Sequence, residues 1–485
     1  GVHLKWAAAA ATFLTCFPWL PAGLGCGPCH RAWPVSIGNL YPQQKRQHIK
    51  KYSACDGLAR VKRVVMTAAG TPHYLGIDFG TSGARATVID GAGVVVHDTK
   101  CSFEPGADKD WATSWERSLL LLLECIPDAL RASVTGVAFD GTSATVLLVD
   151  RATGRQLAKP LLYNDAQGPP AVAAVKAIAP LNHTTTASTS ALCKLLTWHL
   201  EGVWQAAAEQ GAQPGLLHQA DWLASLLHGD RNVSDWNNAL KLGFDPGSEQ
   251  YPDWMLSQAW AHLLPSRVRA PGSVSGQVTA TAAARTGLQE GCRVVAGTTD
   301  SNAAFLAAGV SEPGEAVTSL GSTLAIKMLS TTRVDDAAFG LYSHRLGDMW
   351  LVGGASNTGG AVLRQFFTDA QLQTLTQAIQ LDQPTGLDYY PLTKPGERFP
   401  VNDPAHQPRL EPQPADDAVF LQGMLEGMAR IEAQAYRLMY EKGARPPVTR
   451  VHTAGGGAAN AKWTAMRAKA IGVPVVKASN GEAAY

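Results

Sequence analysis

A strand–turn–strand segment, residues 74–90, constrains the fold of this 485-residue chain more than any other feature. The apolar run 75–77 is followed by the letters DFGTSG at 78–83 and by a second β-rich run at 85–90. Two such runs joined by glycines and small hydroxyl residues predict a β-hairpin. The turn can aim several backbone N–H groups and two hydroxyls at one anion, because glycine has no Cβ atom to prevent a close approach.

A carboxylate, Asp78, ends the first strand of this hairpin, where a Mg²⁺ ion beside a bound anion would need an oxygen ligand. The segment is not the phosphate loop of P-loop proteins, because no lysine follows the glycines and a strand follows in place of a helix. An exposed hairpin tip that binds nothing is the alternative, and the segment alone does not decide between the two.

Two further aspartates follow predicted strands. The run 134–139 predicts a buried strand that delivers Asp140, Thr142 and Ser143 at its end, where α/β sheets place ligands. Asp140 could instead belong to a simple hairpin turn. Asp300 follows the strand 293–296 and precedes a helix at 303–308, so the helix dipole would favour its ionised form. A carboxylate there could act as a proton acceptor, although aspartate is also a common N-cap residue.

The second half of the chain repeats the pattern of the first hairpin. The letters SLGST at 319–323 stand between two predicted strands, which suggests an internal duplication with two similar lobes facing each other across a cleft. Glycine-rich runs at 353–360 and 455–460 each precede a predicted helix. The first is suited to phosphate or ribose, and the bare backbone of the second would let a flat base lie against it. Glycines at helix starts are also simple packing solutions.

Charge and cysteine are unevenly distributed. Residues 1–73 carry nine Lys and Arg and one acidic residue, leaving 32 basic and 39 acidic residues, a net charge of −7, in the remainder. This mildly acidic remainder argues against a nucleic-acid binder. Four of the eight cysteines, including the Cys26 and Cys29 pair, fall in the first 73 residues, and the others are scattered without metal-ligand spacing. We therefore expect a reducing compartment.

The basic, acid-poor leader predicts an organelle-targeting segment over residues 1–72. The nearly apolar run 6–24 would also suit a secretory signal or an anchor, although Pro18 and Pro21 would kink such a helix. We expect chloroplast import, with the mitochondrion, secretion or the cytosol as alternatives, and no membrane association of the mature form.

Six short segments carry a resemblance to a known family: DFGTS at 78–82, FDGTS at 139–143, YND at 163–165, GTTDS at 297–301, SLGST at 319–323 and GGGAAN at 455–460. In this order they resemble the FGGY carbohydrate kinases. The resemblance implies an α/β fold of two actin-like (ribonuclease H-like) lobes, with a sugar and phosphate domain at 73–291 and a nucleotide domain at 292–485. It also implies ATP and Mg²⁺ as cofactors, and a ketopentose, D-ribulose first, as the sugar.

The resemblance assigns roles to individual residues. Asp300 is expected as the general base and Asp78 as the Mg²⁺ ligand. Sugar contacts are expected at Asp78, Ser82, Gly83, Ala84, Arg85, Ser143 and Asp300. Nucleotide contacts are expected at Gly80, Thr81, Gly321, Ser322, Thr323, Gly455, Gly456, Gly457, Asn460 and Trp463, the last covering the base one turn after Asn460. Lys462 is expected to be exposed.

Three alternatives stay open at this point. A xylulose kinase differs in the configuration of one hydroxyl, a sugar sensor would bind without turnover, and a chaperone-type ATPase would need a peptide-binding domain. The family continues into a closing helix beyond Tyr485, so we expect that helix to be missing here. The oligomeric state is expected to be a monomer or a homodimer.

Overall fold

Two mixed β-sheets form the frame of the protein, seen here in a computed structural model that describes residues 72–103 and 110–478. The predicted leader lies, as far as residue 71, outside the described residues. The described strands are β1 (His73–Phe79), β2 (Gly83–Asp90), β3 (Val95–Ser102), β4 (Val134–Gly141), β5 (Val146–Asp150), β6 (Pro214–His218), β7 (Val233–Asp235), β8 (Arg267–Arg269), β9 (Val274–Gln277), β10 (Arg293–Thr299), β11 (Glu315–Leu320), β12 (Leu324–Ser330), β13 (Tyr342–Leu346), β14 (Met349–Ser356), β15 (Arg450–Ala454) and β16 (Val475–Lys477).

The first sheet has the strand order β3-β2-β1-β4-β10-β9. Strands β1, β2 and β3 form an antiparallel meander, and the β1–β2 register closes with Phe79 opposite Ala84. The predicted hairpin is thus confirmed. Strands β4 and β10 run parallel to β1, so their carboxyl ends meet at one edge of the sheet.

The second sheet has the order β13-β14-β12-β11-β15-β16. Strands β11, β12 and β14 form the antiparallel meander, and β15 runs parallel to β11 as β4 does to β1. Each sheet adds one antiparallel edge strand, β9 or β13. The shared core order confirms the predicted duplication and the two-lobed actin-like fold.

Helices cover both sheets. Their bounds are α1 (Trp111–Cys125), α2 (Asp128–Arg131), α3 (Pro169–Ile178), α4 (Ala191–Leu200), α5 (Val203–Glu209), α6 (Gln219–His228), α7 (Trp236–Ala239), α8 (Asp253–Leu256), α9 (Ala280–Thr286), α10 (Asp300–Ala307), α11 (Gly360–Phe366), α12 (Asp369–Ala378), α13 (Asp417–Glu441) and α14 (Ala461–Ile471). Helix α1 buries Trp115 and Leu119 with Phe79 of the first sheet. Helix α13 buries Met424 and Met428 with the second sheet. Within the described ranges, no helix combines the length and apolarity that crossing a bilayer requires.

The division between the lobes lies later than the predicted boundary at 291/292. Strand β10, which the sequence analysis placed in the second domain, pairs with β4 and buries Val294 in the core of the first sheet. Helix α10 then leaves this sheet and packs Phe305 against Val317 and Leu351 of the second sheet. The chain therefore passes between the lobes along α10.

Two arginines of the second lobe hold the lobes together away from α10. Arg345 donates to the Pro246 carbonyl at 2.7 Å and forms an ion pair with Glu249 at 2.8 Å. Its guanidinium lies 4.5 Å from the centre of the Trp236 ring. Arg333 pairs with Asp245 at 2.5 Å. These contacts tie the second lobe to the segment that follows α7 in the first lobe.

Candidate active site

Three aspartates meet at the carboxyl edge of the first sheet. The parallel registers place Asp78 beside Asp140 and Asp140 beside Thr298, two residues before Asp300. The Asp78 and Asp140 carboxyls are close enough to influence each other's charge, and Asp140 is almost completely buried. Strand β5 pairs with β6 and not with β4, so the alternative of a simple hairpin turn at Asp140 was wrong. Three adjacent strands, β1, β4 and β10, determine the geometry of the predicted site at this edge.

The buried carboxyls attract protons more strongly than carboxyls in water. Burial, and then the neighbouring Asp78, raise the pKa of Asp140 well above its ordinary value. Burial also raises the pKa of Asp300. A hydrogen bond from the Ser301 N–H at 2.6 Å and the nearby Lys327 cation act in the opposite direction. Asp300 is therefore a carboxyl whose proton affinity is raised while a cation lies close to it.

Asp300 is the first residue of α10 and not its N-cap. The N-cap is Thr299, whose hydroxyl is buried and has no partner among the described residues. The preceding Thr298 is fixed from the first lobe, since Asn237 donates to its hydroxyl at 3.0 Å and Asn238 donates to its carbonyl at 3.1 Å. The segment that carries these asparagines is buried, and its contacts hold the strand end that presents Asp300.

The turn between β1 and β2 leaves its hydroxyls accessible. The Gly80 N–H donates to the Gly83 carbonyl at 3.0 Å, which closes the turn. Thr81 and Ser82 are exposed at its tip. The turn is thus available to an anion that approaches the carboxyl edge of the sheet.

The predicted sugar contacts do not all face this edge. Ala84 is buried in the core of the first sheet, so its side chain is not available to a ligand and that prediction needs correction. Arg85 is half-buried, with its Nε 3.7 Å from Asp98. Ser143 follows Asp140 by three residues, and its hydroxyl is buried without a partner among the described residues. Burial of an unpaired hydroxyl is costly, so Ser143 is a stronger candidate for a ligand contact than Ala84 or Arg85.

Two glycine-rich turns of the second lobe lie against each other. Gly321, Ser322 and Thr323 form the exposed turn between β11 and β12. A Cβ atom at Gly455 would lie 2.7 Å from the Leu320 carbonyl oxygen, and Gly455 has φ +81°. The second turn therefore packs directly on the end of β11. Gly456, by contrast, faces open space, with no atom within 4 Å of an added Cβ.

This difference separates a structural glycine from a candidate ligand-binding glycine. We expect Gly455→Ala to lower the unfolding temperature, because its Cβ atom would meet backbone at a positive φ. Gly456→Ala should leave the unfolding temperature unchanged and raise the KM for ATP by roughly tenfold, about the effect of 1.4 kcal/mol. Kinetics and thermal unfolding of both variants provide the measurement. A normal KM for ATP in Gly456→Ala would contradict the placement of a nucleotide on this turn.

Two expectations near this turn, those for Trp463 and Lys462, differ from the structure, and Asn460 has contacts within the protein. Trp463 is only 3% exposed and lies in the core of the second lobe, so it cannot cover a bound base as predicted. The Asn460 side chain caps α14 by accepting from the Trp463 N–H at 2.9 Å and also donates to Thr376. The Lys462 ammonium does not only face solvent, since it donates to two carbonyls at the end of α12, those of Gln377 at 2.6 Å and Ile379 at 2.7 Å.

The glycine-rich start of α11 is occupied by protein. The N–H groups of Gly360 and Ala361 donate to the carbonyls of Gly321 and Ser322, at 2.9 and 3.1 Å. These two donors are not free for a phosphate, contrary to the expectation for this run. They instead fix the turn that precedes β12.

The strand-end carboxyls fit a magnesium ion that keeps most of its water ligands. Asp140 Oδ1 is buried and has no hydrogen-bond partner among the described residues, an arrangement that a cation or its bound water would relieve. No group of three or more His, Cys, Asp or Glu side chains within the described ranges is arranged as a metal site. Magnesium commonly binds through one or two carboxylates together with waters and phosphate oxygens. Asp78 and Asp140 match that donor set.

The sequence analysis missed a cation on the opposite wall. Lys327 of β12 donates from Nζ to Ser301 Oγ at 3.0 Å and to Asn302 Oδ1, and so reaches the first turn of α10. Lys241 of the first lobe contributes a second positive charge near Asp300. The available signal was a lysine inside the otherwise apolar strand LAIKMLS, which reads equally well as a solvent-facing position.

Comparison with known proteins identifies similar chains. Residues 73–307 match the N-terminal domain of the FGGY family of carbohydrate kinases, and residues 316–485 match the C-terminal domain of that family. The ribulokinase of Shouchella clausii is 25% identical over 294 residues, 52% of each chain. The ribulokinase of Geobacillus thermodenitrificans is 26% identical over 304 residues, 54% of each chain. The chain thus spans about half the length of the curated relatives it matches.

The fold is shared with solved sugar-kinase structures. The xylulose kinase of Rhodospirillum rubrum superposes with a TM-score of 0.71 at 24% identity, covering 85% of this chain and 88% of the other. The gluconate kinase of Lactobacillus acidophilus superposes equally well, at 0.71, with 14% identity, 85% of this chain and 87% of the other. Similar scores for proteins named for different sugars show the fold and not the sugar.

Proposed function

Because the chain belongs to the FGGY family of carbohydrate kinases, we propose that it transfers the γ-phosphoryl group of ATP to the terminal hydroxyl of a ketopentose, with D-ribulose as the preferred acceptor. The ribulokinases among its relatives support a pentose as the substrate. The observation that carries the proposal is the position of Asp300, at the start of the helix that joins the lobes and beside both the strand-end carboxyls and Lys327.

Asp300 acts as the general base in this proposal. The acceptor hydroxyl loses its proton to the Asp300 carboxylate as its oxygen bonds to the γ-phosphorus, and ADP leaves with the electrons of the broken P–O bond. The raised pKa of Asp300 improves it as a proton acceptor, because a carboxylate with a higher proton affinity removes a hydroxyl proton more readily. Ser143, Ser82 and the backbone at Gly83 and Arg85 would orient the sugar.

The nucleotide lies against the second lobe. The turn at 321–323 and the backbone at 455–457 would hold ADP, while Gly80 and Thr81 face the transferring phosphate. When bound, Mg²⁺ would neutralise phosphate charge near Asp78 and Asp140. The protein takes part in little covalent chemistry, so the rate enhancement comes from positioning the reactants and neutralising the phosphate charge.

The Asp78 carboxyl sets the dependence on magnesium. We expect Asp78→Asn to raise the Mg²⁺ concentration for half-maximal activity by roughly tenfold or more, since changes around metal ligands cost about 10–100-fold in affinity. Magnesium titration of initial rates measures this. Asp382→Asn, an exposed aspartate far from these strands in sequence, is the control and should titrate as the wild type does. An identical titration for both variants would contradict a metal role for Asp78.

The identity of the acceptor sugar is tested by a coupled assay that measures ADP release over a panel of ketoses and polyols. The proposal expects the highest kcat/KM for D-ribulose. A preference for D-xylulose would shift the assignment to the other ketopentose on the same site. Sugar binding without ADP release on any member of the panel would favour a sensor and overturn the kinase proposal.

A further inference from the structure

Lys327 points toward the other lobe and not into the core of its own. Its neighbours along β12, Leu324, Ile326 and Met328, are buried in the second-lobe core. Residues on the opposite face of the strand approach α10, where Leu329 packs with Phe305. Side chains of a strand alternate between faces, so Lys327 lies on the α10 face.

The surrounding sheet makes room for this side chain. Gly353 of β14 lies directly opposite Lys327, and a Cβ atom at that position would lie 3.4 Å from Lys327 Cγ. Tyr342 is the next residue across the sheet, and Lys241 of the first lobe lies 5.6 Å from the centre of its ring. A glycine at this position allows the lysine stem to pass across the sheet toward α10.

The contacts of Lys327 are with neutral oxygens and not with a carboxylate. Its Nζ donates to Ser301 Oγ at 3.0 Å and to Asn302 Oδ1. Burial, with the added repulsion of Lys241, lowers the pKa of Lys327 to about 7 although Asp300 acts to raise it. Lys327 is half-buried, and drawing an amine out of water costs free energy that an apolar side chain of similar length would not, so stability alone does not account for a lysine here.

Ser301 and Asn302 directly follow Asp300 in the first turn of α10. The hydrogen bonds from Lys327 to these two side chains therefore fix the direction in which that turn presents the Asp300 carboxylate. These bonds come from β12, four residues after the turn at 321–323 that is proposed to hold the nucleotide phosphates. Movement of this strand relative to the first lobe would move the base.

We propose that Lys327 is a positioning residue, which holds the first turn of α10 against the second sheet and so couples the nucleotide lobe to the placement of the Asp300 carboxylate. This inference rests on the proposed function of Asp300. A displacement of about 1 Å in a reacting group can cost about 100-fold in rate. The lysine thus acts on turnover through Asp300.

The test compares variants of the full chain at both ends of the contact. Lys327→Met and Asn302→Ala should each lower kcat by roughly 10–100-fold, with the KM values for ATP and sugar within about twofold of wild type. Lys327→Arg retains donors and should recover part of the lost kcat. The double variant Lys327→Met with Asn302→Ala should lose no more than the worse single variant, because both single changes remove the same Lys327–Asn302 hydrogen bond.

A matched control is Lys442→Met in the same lobe. Lys442 pairs with Asp336 at 2.8 Å and donates nothing to α10, so its replacement should leave kcat unchanged. An unchanged kcat in Lys327→Met, a loss confined to the KM for ATP, or multiplicative losses in the double variant would each overturn the inference. Those outcomes leave the proposed kinase function standing, whereas a wild-type protein that phosphorylates no sugar contradicts both.

Discussion

Asp300→Asn is expected to lower kcat by on the order of 10²–10⁴-fold while the Kd for ATP stays the same, because the amide cannot accept the hydroxyl proton. The change keeps the size of the side chain and removes the negative charge of a half-buried carboxylate. Initial rates at saturating sugar and ATP, with nucleotide binding followed by calorimetry, measure the two quantities separately.

The control for this variant is Asp369→Asn. Asp369 is also the first residue of its helix, but it is exposed, so it shares the helix-dipole environment of Asp300 without its position at the cleft. We expect a wild-type rate from it. An Asp300→Asn enzyme that keeps more than about a tenth of the wild-type kcat would contradict the general-base role, since general-base catalysis contributes at least about 100-fold.

Glu432→Ala is expected to cause the largest loss of stability, about 3–5 kcal/mol, because it leaves a buried arginine without its partner. Glu432 of α13 accepts from Arg467 of α14 through both oxygens, at 2.5 and 2.7 Å. Thr318 of β11 also donates to Glu432, and Arg467 donates to Thr453 of β15 at 2.7 Å. All four side chains are buried.

This network fixes two helices to the two strands that lead into the candidate nucleotide turns. Urea unfolding of the full chain, followed in the second lobe, measures the stability that is lost when this network is broken. Glu441→Ala, an exposed residue of the same helix, should change stability by no more than about 0.5 kcal/mol. Replacing the pair together, Glu432→Leu with Arg467→Met, should recover much of the loss, since apolar replacements remove the stranded charge. Equal unfolding midpoints for Glu432→Ala and Glu441→Ala would contradict this account.

Local sequence was sufficient to locate Asp78 and Asp300, because each lies between a predicted strand and a glycine-rich or helical segment. It did not show that Asp78 and Asp140 lie side by side. That contact depends on parallel pairing of β1 with β4, across more than fifty residues of intervening chain, and a strand pattern alone does not specify its partner. The predicted boundary at 291/292 was early for the same reason, because β10 finds its partner in the first sheet.

The residues around Trp463 show where local pattern was misapplied. A glycine-rich turn before a helix predicted a nucleotide platform, and an aromatic residue one turn later was assigned to the base. The buried face of α14 contains Trp463, Met466 and Arg467, at the three- and four-residue spacing of a core-facing stripe. That spacing was visible in the sequence and favoured burial. For Lys327, no local signal distinguishes a strand face toward solvent from one toward a second lobe.

Transfer of ³²P from the γ-position of ATP to D-ribulose tests the central claim most directly. The proposal predicts label on the terminal-carbon oxygen of the sugar with wild-type protein, and almost none with Asp300→Asn. Label recovered only as inorganic phosphate, or equal transfer by the Asp300→Asn variant, would contradict an aspartate-dependent sugar kinase.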